Sequence, residues 1–253
     1  MEYGLKQYIF VIRELTAREI KRKYSRSVLG ILWSVLQPLL FMVVMSFVFS
    51  GYAPSKTNFP VYYLTGLIFF QLFQVATTTS MTAFEDNQKL FQKSKLPREI
   101  FVLSRDYTAL VNLGFSLIAL LFVLIFFRIK PNLAMLLLIV DIAFEMLFTI
   151  GVSFVLATIF VFYKDIKFIW SNIIVLLTHV VAIFVPIERY PDYLKRITEV
   201  NPLFFYPNIA RRCVLEGTYN VEELKRMVIW AVLTFAFGLC FFKLNENKIV
   251  KKL

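Results

Sequence analysis

The chain has 253 residues, of which 58% are hydrophobic and 18% charged, and its formal net charge is +11. A soluble domain has about 45–50% apolar and about 25% charged residues, so this composition, with a mean hydropathy of +0.68, excludes an ordinary soluble domain. The basic residues stand in short runs between apolar stretches, which is typical of membrane orientation signals rather than of nucleic-acid binding. We therefore expect a membrane protein with no nucleic-acid partner.

Six apolar stretches predict helices that cross the roughly 30 Å of membrane hydrocarbon. Their continuous apolarity lacks the alternation of a membrane β-barrel, and we therefore predict an all-α integral membrane fold with one six-helix domain over residues 28–253. The predicted spans are 28–50, 61–84, 107–127, 133–163, 168–186 and 227–242.

The distribution of Lys and Arg predicts the orientation. With both termini inside, the inner segments hold 18 of the 28 basic residues and the outer segments hold 10, so the positive-inside rule places both termini in the cytoplasm. The charged N-terminal region does not have the pattern of a signal peptide, and we expect none. Two cysteines, Cys213 and Cys240, are too few and too far apart to predict a disulfide framework or a cysteine-rich metal site.

Residues 1–27 are predicted to form an amphipathic helix that lies on the cytoplasmic membrane surface, because apolar and basic residues fall on opposite arcs. A helix packed on a partner is the alternative. The Leu29-Gly30 pair then allows a sharp turn into the first span. The apolar arc contains Leu5, Tyr8, Ile9, Val11, Ile12, Leu15 and Ile20.

Two connecting segments have more apolar content than simple loops. The inner loop 85–106 offers Leu90 and Phe91 for docking on another protein, and a solvated connector is the alternative. The outer segment 188–226 predicts two short helices that meet at Asn201-Pro202, a helix cap followed by proline at the first helical position. We expect these helices to re-enter the membrane from outside, with a surface cap as the alternative.

The sequence lacks the motifs of a hydrolase elbow, a Cys/His metal site or a phosphate-binding P-loop. We therefore expect no catalytic, cofactor or metal site on this chain. Asp141 and Glu145 lie one helical turn apart in the fourth predicted span, where each ionised acid costs about 2.5–3.5 kcal/mol. Both a transport role and structural pairing remain open for them. His179 is expected to be a hydrogen-bonded residue of the helix bundle.

Aromatic residues recur along the first, second and fifth predicted spans. Most are expected to face lipid or the interfacial belts. Sugar rings also stack on aromatic faces, so some of these rings would suit a passage for a polysaccharide. The channel candidates are Phe41, Tyr62, Phe69, Phe70, Phe73 and Thr77.

Several motifs follow one another in a specific order. The run from Arg18 to Trp33 leads to Gln37-Pro38, Lys95-Leu96-Pro97-Arg98-Glu99 follows the second predicted span, and Asn201-Pro202-Leu203 precedes the last. This order, over essentially the whole chain, resembles the permease subunit of polysaccharide-exporting ABC transporters, which serve O-antigen, capsule and teichoic-acid export.

The resemblance implies a homodimer of six-helix permeases in the bacterial inner membrane. Each copy would engage a separate cytoplasmic P-loop ATPase, which would bind ATP and magnesium, and together they would move an undecaprenyl-linked glycan outward, with O-antigen favoured. The implied ATPase-coupling residues are Asn87, Leu90, Phe91, Lys93, Lys95 and Pro97. The implied cytoplasmic entrance contains Tyr24, Leu29, Gly30 and Trp33, and the implied outer gate contains Tyr193, Asn201, Pro202 and Phe204.

Two other classes of function stay open at the level of sequence. A proton-coupled secondary transporter would use Asp141, Glu145 and His179 as a relay and would need no ATPase. A membrane enzyme acting on lipid-linked substrates would need a catalytic constellation, which the sequence does not contain.

Overall fold

A computed structural model describes residues 4–25, 27–49, 51, 58–93 and 96–252. These residues form helices and connecting turns without a strand, which confirms the all-α prediction. The helices are α1 (Leu5–Tyr24), α2 (Trp33–Phe49), α3 (Phe59–Met81), α4 (Ala83–Asp86), α5 (Gln88–Lys93), α6 (Glu99–Phe126), α7 (Leu137–Phe162), α8 (Ile166–Val180), α9 (Asp192–Val200), α10 (Pro202–Arg211) and α11 (Val221–Lys252).

Five helical stretches of the described chain have the length and apolarity to cross a membrane. They are Gly30–Phe49, Phe59–Met81, Glu99–Phe126, Leu133–Phe162 and Val221–Lys252. They correspond to five of the six predicted spans, and the protein is accordingly a multi-pass membrane protein.

The predicted fifth span, 168–186, is shorter as a helix. It corresponds to α8, whose 15 residues rise only about 22 Å at 1.5 Å per residue. After α8 the chain turns through Ala182, which has a φ of +55°. The non-helical residues Val181, Ala182 and Ile183 are buried against the bundle, so the apolar stretch continues as packed, irregular chain.

Two other predicted boundaries differ from the structure. The loop predicted over 85–106 contains the end of α4 and all of α5, and α6 already begins at Glu99 rather than near Tyr107. The last helix extends well beyond 227–242 at both ends. The predicted spans were ended at charged residues. In the structure, Arg105 and Asp106 make polar contacts inside the protein, so α6 continues through them.

The centre of the bundle is α3, which packs against α2, α6, α7, α8 and α10. Its rings Phe69, Phe70 and Phe73 are buried in the main apolar core. At the end of the bundle that is predicted to be cytoplasmic, α1 packs across α6 through Leu15 and Thr16. The helices α2, α6, α7, α8 and α10 therefore surround α3.

The helices α7 and α11 pack along each other at very close range. A Cβ atom added to Gly238 would collide with the backbone of Gly151, and one added to Gly151 would collide with the backbone at Thr234. Small residues permit such close approach between membrane helices, where van der Waals packing replaces the hydrophobic effect. The Gly151–Gly238 contact therefore fixes the distance between α7 and α11.

Replacing Gly238 by Leu should force these helices apart and destabilise the protein by about 3 kcal/mol. We expect a lower midpoint in thermal unfolding of the detergent-solubilised chain. Gly114→Leu is the matched control, because Gly114 also lies in an apolar helix but has open space around the added Cβ. Equal midpoints for the two variants would contradict the close contact.

Candidate functional site

The short helices α4 and α5 are held to the bundle by an aromatic cluster. The ring of Phe91 lies 5.6 Å from that of Phe84 and 5.7 Å from that of Phe101, measured between centroids. The guanidinium of Arg98 lies 5.4 Å from the centroid of Phe91. Phe91 is only 5% exposed, so it anchors α5 instead of lying on its outer surface.

The predicted coupling residues consequently divide into an inner and an outer set. Asn87 is buried, donates to the carbonyl of Ala83 at 2.8 Å and accepts a hydrogen bond from Arg18. Leu90 and Pro97 are half-buried, Lys93 is exposed, and Lys95 lies outside the described residues. The coupling role stays a prediction, and the exposed surface of α5 contains Gln88, Lys89, Gln92 and Lys93.

Arg105 connects α1, α4 and α6 through two ion pairs. Its Nη1 donates to Glu19 Oε2 at 2.6 Å, and its Nη2 donates to Asp86 Oδ2 at 2.7 Å. The side chains of Arg105 and Glu19 are almost fully buried. The amphipathic helix α1 is thereby tied to the segment that carries α5.

Sequence reasoning missed Arg105 because it placed this residue in a loop. A signal was present in α1, where Glu19 continues the apolar stripe of Tyr8, Ile12 and Leu15 at helical spacing. A carboxylate on an apolar face needs a buried cationic partner, and Arg105 supplies that partner.

A further ion pair joins α4 to the connection between α7 and α8. Lys164 pairs with Glu85, and its ammonium lies 4.3 Å from the ring centroid of Phe160. The short helix α4 is thus connected by charged groups to α1, α6 and the chain that enters α8.

The predicted cytoplasmic entrance forms a turn between α1 and α2. Gly30 has a φ of +48°, which glycine adopts without strain, and this confirms the predicted sharp turn. The side chains of Leu29 and Trp33 are exposed. The hydroxyl of Tyr24 bonds to Ser34 and lies 3.4 Å from Asn112 Oδ1, so the end of α1 is joined to α2 and α6.

Most of the channel candidates are core residues in the structure. Phe69, Phe70, Phe73 and Thr77 are buried within a single chain, and Thr77 accepts a hydrogen bond from Trp170 at 3.2 Å. These four side chains therefore do not face an open passage, because α3 is surrounded by other helices.

The remaining two channel candidates lie nearer the surface. Tyr62 is half-buried and donates to the carbonyl of Ala182 at 3.1 Å. Phe41, on α2, is 45% exposed. Among the predicted channel rings, Phe41 is the one that the structure leaves open to a lipid or a partner.

The outer segment contains the predicted pair of short helices, α9 and α10. Asn201 caps α10 by accepting from the backbone of Leu203 at 3.0 Å, and Pro202 occupies the first helical position, as the sequence predicts. Phe204 is buried, whereas Tyr193 on α9 is 70% exposed. The structure leaves the re-entrant placement of these helices a prediction.

Arg211 fastens this outer segment to the bundle. Its guanidinium lies 3.8 Å from the ring centroid of Tyr62 and donates to the carbonyls of Tyr62, Ala182 and Ile183 at 3.0, 2.9 and 3.3 Å. A Cβ on Gly66 would collide with this guanidinium. The buried cation therefore satisfies the carbonyls that follow the end of α8.

The two predicted membrane acids are fully buried on α7. All four carboxyl oxygens of Asp141 and Glu145 lack a hydrogen-bond partner among the described residues, as does the hydroxyl of Tyr206. His179 is exposed on α8, where its Nδ1 lies 3.0 Å from the carbonyl oxygen of Val175. The predicted relay of Asp141, Glu145 and His179 thus does not share one buried environment.

A third membrane acid, Asp106, was missed by the sequence interpretation, which placed it in the inner loop. Its Oδ1 accepts from Ser80 at 3.0 Å and from Ser153 at 2.8 Å. Asp106 therefore joins α3, α6 and α7. The sequence signal for this buried acid is the presence of the serine residues Ser80 and Ser153 within apolar helices.

We predict that Arg105→Leu destabilises the protein by about 3–5 kcal/mol, because it removes the buried cation that bonds to Glu19 at 2.6 Å and leaves this carboxylate only the exposed Arg18 and Arg22, at 3.6 and 3.7 Å. Thermal unfolding measures the loss, and trypsin cleavage after Arg22 reports the release of α1. The double variant Arg105→Leu, Glu19→Leu should recover part of the stability. No recovery in that variant would show that the two side chains contribute independently.

The chain matches known proteins over most of its length. The profile of the ABC-2 type transporter family matches residues 11–214. An O-antigen export system permease protein RfbA of Klebsiella pneumoniae is 27% identical over 244 residues, which cover 96% of this chain and 94% of that protein. An RfbA of Myxococcus xanthus is 28% identical over 202 residues, covering 79% of this chain and 78% of that protein.

A polysialic acid transport protein KpsM of Escherichia coli is 22% identical over 248 residues, covering 94% of this chain and 95% of that protein. The relatives from Klebsiella pneumoniae and Escherichia coli match almost the whole length of the chain. The family profile spans well over half of the chain, and the apolar helices agree with a membrane component. The chain belongs to the ABC-2 type transporter family.

Proposed function

We propose that this chain is the permease of an ATP-driven exporter that moves a lipid-linked polysaccharide from the cytoplasm across the bacterial inner membrane. The observation that carries the proposal is the near full-length match to permeases named for O-antigen export and polysialic acid transport. O-antigen is the favoured cargo, because the relatives named for it are the more similar ones.

ATP and magnesium bind a separate cytoplasmic ATPase in this proposal, since the sequence has no P-loop. The docking surface is the exposed face of α5, where Lys89 and Lys93 offer positive charge. The contacts of Arg105 and Lys164 support this placement, because they join α4 to α1, α6 and the start of α8. A push on α5 therefore reaches several membrane helices through ion pairs.

A second copy of the chain completes the passage in this proposal. Both α2 and α8 expose apolar side chains along their length, including Phe41, Phe47 and Phe168. Large exposed apolar faces fit either lipid or another protein, and the family resemblance favours a partner copy at α2 and α8. Closure of the ATPase dimer would separate these helices between the two copies.

The passage would run from the turn at Gly30 to the helices α9 and α10. The exposed aromatic rings of α2 would contact the moving glycan, and α9 with its exposed Tyr193 would border the exit. Both termini lie in the cytoplasm in this arrangement, in agreement with the excess of Lys and Arg in the inner segments.

Reversing the charge of α5 tests the ATPase contact. We expect Lys89→Glu, Lys93→Glu to reduce the amount of ATPase that co-purifies with the chain by at least about tenfold, because like charges disfavour docking. Both lysines are exposed, so the variant should fold, whereas a charge placed at the buried Phe91 would disrupt the aromatic cluster.

The matched control is Lys195→Glu, Arg196→Glu on α9, which changes the charge equally on the predicted outer side. This control should co-purify with the ATPase like the unmodified chain. If the unmodified chain purifies alone from its native membrane, or if both variants behave alike, the docking proposal is wrong.

The double variant Asp141→Asn, Glu145→Gln separates ATP-driven export from proton coupling. Neutral amides of the same size preserve packing but carry no exchangeable carboxyl proton, so ATP-driven export in vesicles should stay within about twofold of the unmodified chain. If the protein is a proton-coupled transporter, the double variant loses transport. That loss, together with transport by the unmodified chain in the absence of ATP, would overturn the exporter proposal.

A further inference from the structure

A cavity of about 300 Å³, lined by both polar and apolar side chains, lies between α2, α3 and α6, next to the end of α1. Its volume is at the lower end of small-molecule sites, which measure roughly 300–1,000 Å³, and it therefore suits a single headgroup and not a polymer. Its polar lining includes Gln37 of α2, Gln71, Gln74 and Thr78 of α3, Asn112 of α6 and Lys23 of α1.

The polar residues of α3 share one face of the helix. Gln71, Gln74 and Thr78 follow one another at spacings of three and four residues, which places them in one row. Other positions of α3 carry Phe69 and Phe73, which are buried in the apolar core. The central helix thus presents a row of amide and hydroxyl groups to the cavity.

The three glutamine side chains have no hydrogen bond to another group in the described part of the chain. Gln37 is exposed, and Gln71 and Gln74 are half-buried, so their amide groups are accessible from the cavity. Three such groups around one cavity, within helices that cross a membrane, favour a polar occupant. Water alone meets this need, but so does a ligand rich in hydroxyl groups.

The charge of the cavity restricts the ligand further. The described residues of its lining include no carboxylate, and Lys23, which is exposed at the end of α1, supplies a positive charge. Amide groups donate to and accept from sugar hydroxyls, and an ammonium group binds phosphate. The lining therefore matches a phosphate group that is attached to a sugar.

We propose that this cavity binds the phosphate-linked first sugar of the lipid-linked polysaccharide, with the phosphate at Lys23 and the sugar among Gln71, Gln74 and Asn112. This inference rests on the proposed function and adds a subsite to it within one copy of the chain. The cavity lies beside Tyr24, whose hydroxyl bonds to Ser34 and Asn112 in its lining. An occupant therefore contacts the groups that hold the end of α1.

The test is direct binding to the purified chain in nanodiscs of zwitterionic lipid. The probe is radiolabelled farnesyl diphosphate–N-acetylglucosamine, a short-chain lipid-linked sugar, and the competitors are uridine diphosphate–N-acetylglucosamine and phosphatidylglycerol. We expect saturable binding that neither competitor displaces at equal concentration. Equal displacement by phosphatidylglycerol would identify a phospholipid site, equal displacement by the nucleotide sugar would identify a soluble ligand, and either result would overturn the proposal.

Variants assign the binding to the cavity. Gln71→Leu, Gln74→Leu removes the amide hydrogen bonds and should weaken binding at least about tenfold. Gln37→Leu, at an exposed position, gives a second test that does not depend on core packing and should also weaken binding. The control Gln7→Leu on α1 changes an exposed glutamine away from the cavity and should bind normally. Unchanged affinity in both cavity variants would overturn the proposal.

Failure of this proposal is distinguishable from failure of the proposed function. Cavity variants should still co-purify with the ATPase, because α5 lies on a different surface. If the chain purifies with an ATPase but the probe does not bind, the exporter proposal stands and the cavity proposal is wrong. If the probe binds at the cavity but no ATPase accompanies the chain, the exporter proposal fails instead.

Discussion

The buried guanidinium of Arg105 determines how the end of the bundle that contains α1, α4 and α5 is arranged. From α6 it binds the carboxylates of Glu19 on α1 and Asp86 on α4 and so holds the three helices together. The site is buried, where an unpaired charge would be costly. The aromatic cluster around Phe91 and the pair between Lys164 and Glu85 then orient α5 and the start of α8. The surface proposed to dock an ATPase therefore depends on a cation that lies beneath it.

The central helix α3 serves two environments at once. Phe69 and Phe73 pack in the apolar core, while Gln71 and Gln74 line a partly polar cavity. The packing of these rings fixes the rotation of α3 about its own axis. That rotation determines that Gln71 and Gln74 face the cavity. Core stability and the proposed recognition of a sugar phosphate thus depend on the same helix orientation.

The features that local chemistry determines were predicted from the sequence. Long apolar runs predicted six spanning helices, five of which have the required length in the structure. Asn201-Pro202 predicted a helix start, and Gly30 predicted a turn. Features that depend on neighbouring helices were not predicted: the rings of α3 were assigned to a passage, and Arg105 was assigned to a loop. Their surroundings are created by tertiary packing, which the order of residues along one helix does not specify.

The packing of α8 has a consequence for the energetics of opening. Of its 15 residues, all described, Ile174 is the buried one, and polar contacts of Lys164 and Arg211 hold the chain just before and just after the helix. Tilting α8 about these two attachment points exposes little apolar surface that the chain itself had buried, and at about 25 cal/mol per Å² the free-energy barrier from that source is small. Because α8 buries so little of its own surface within the chain, its displacement costs little.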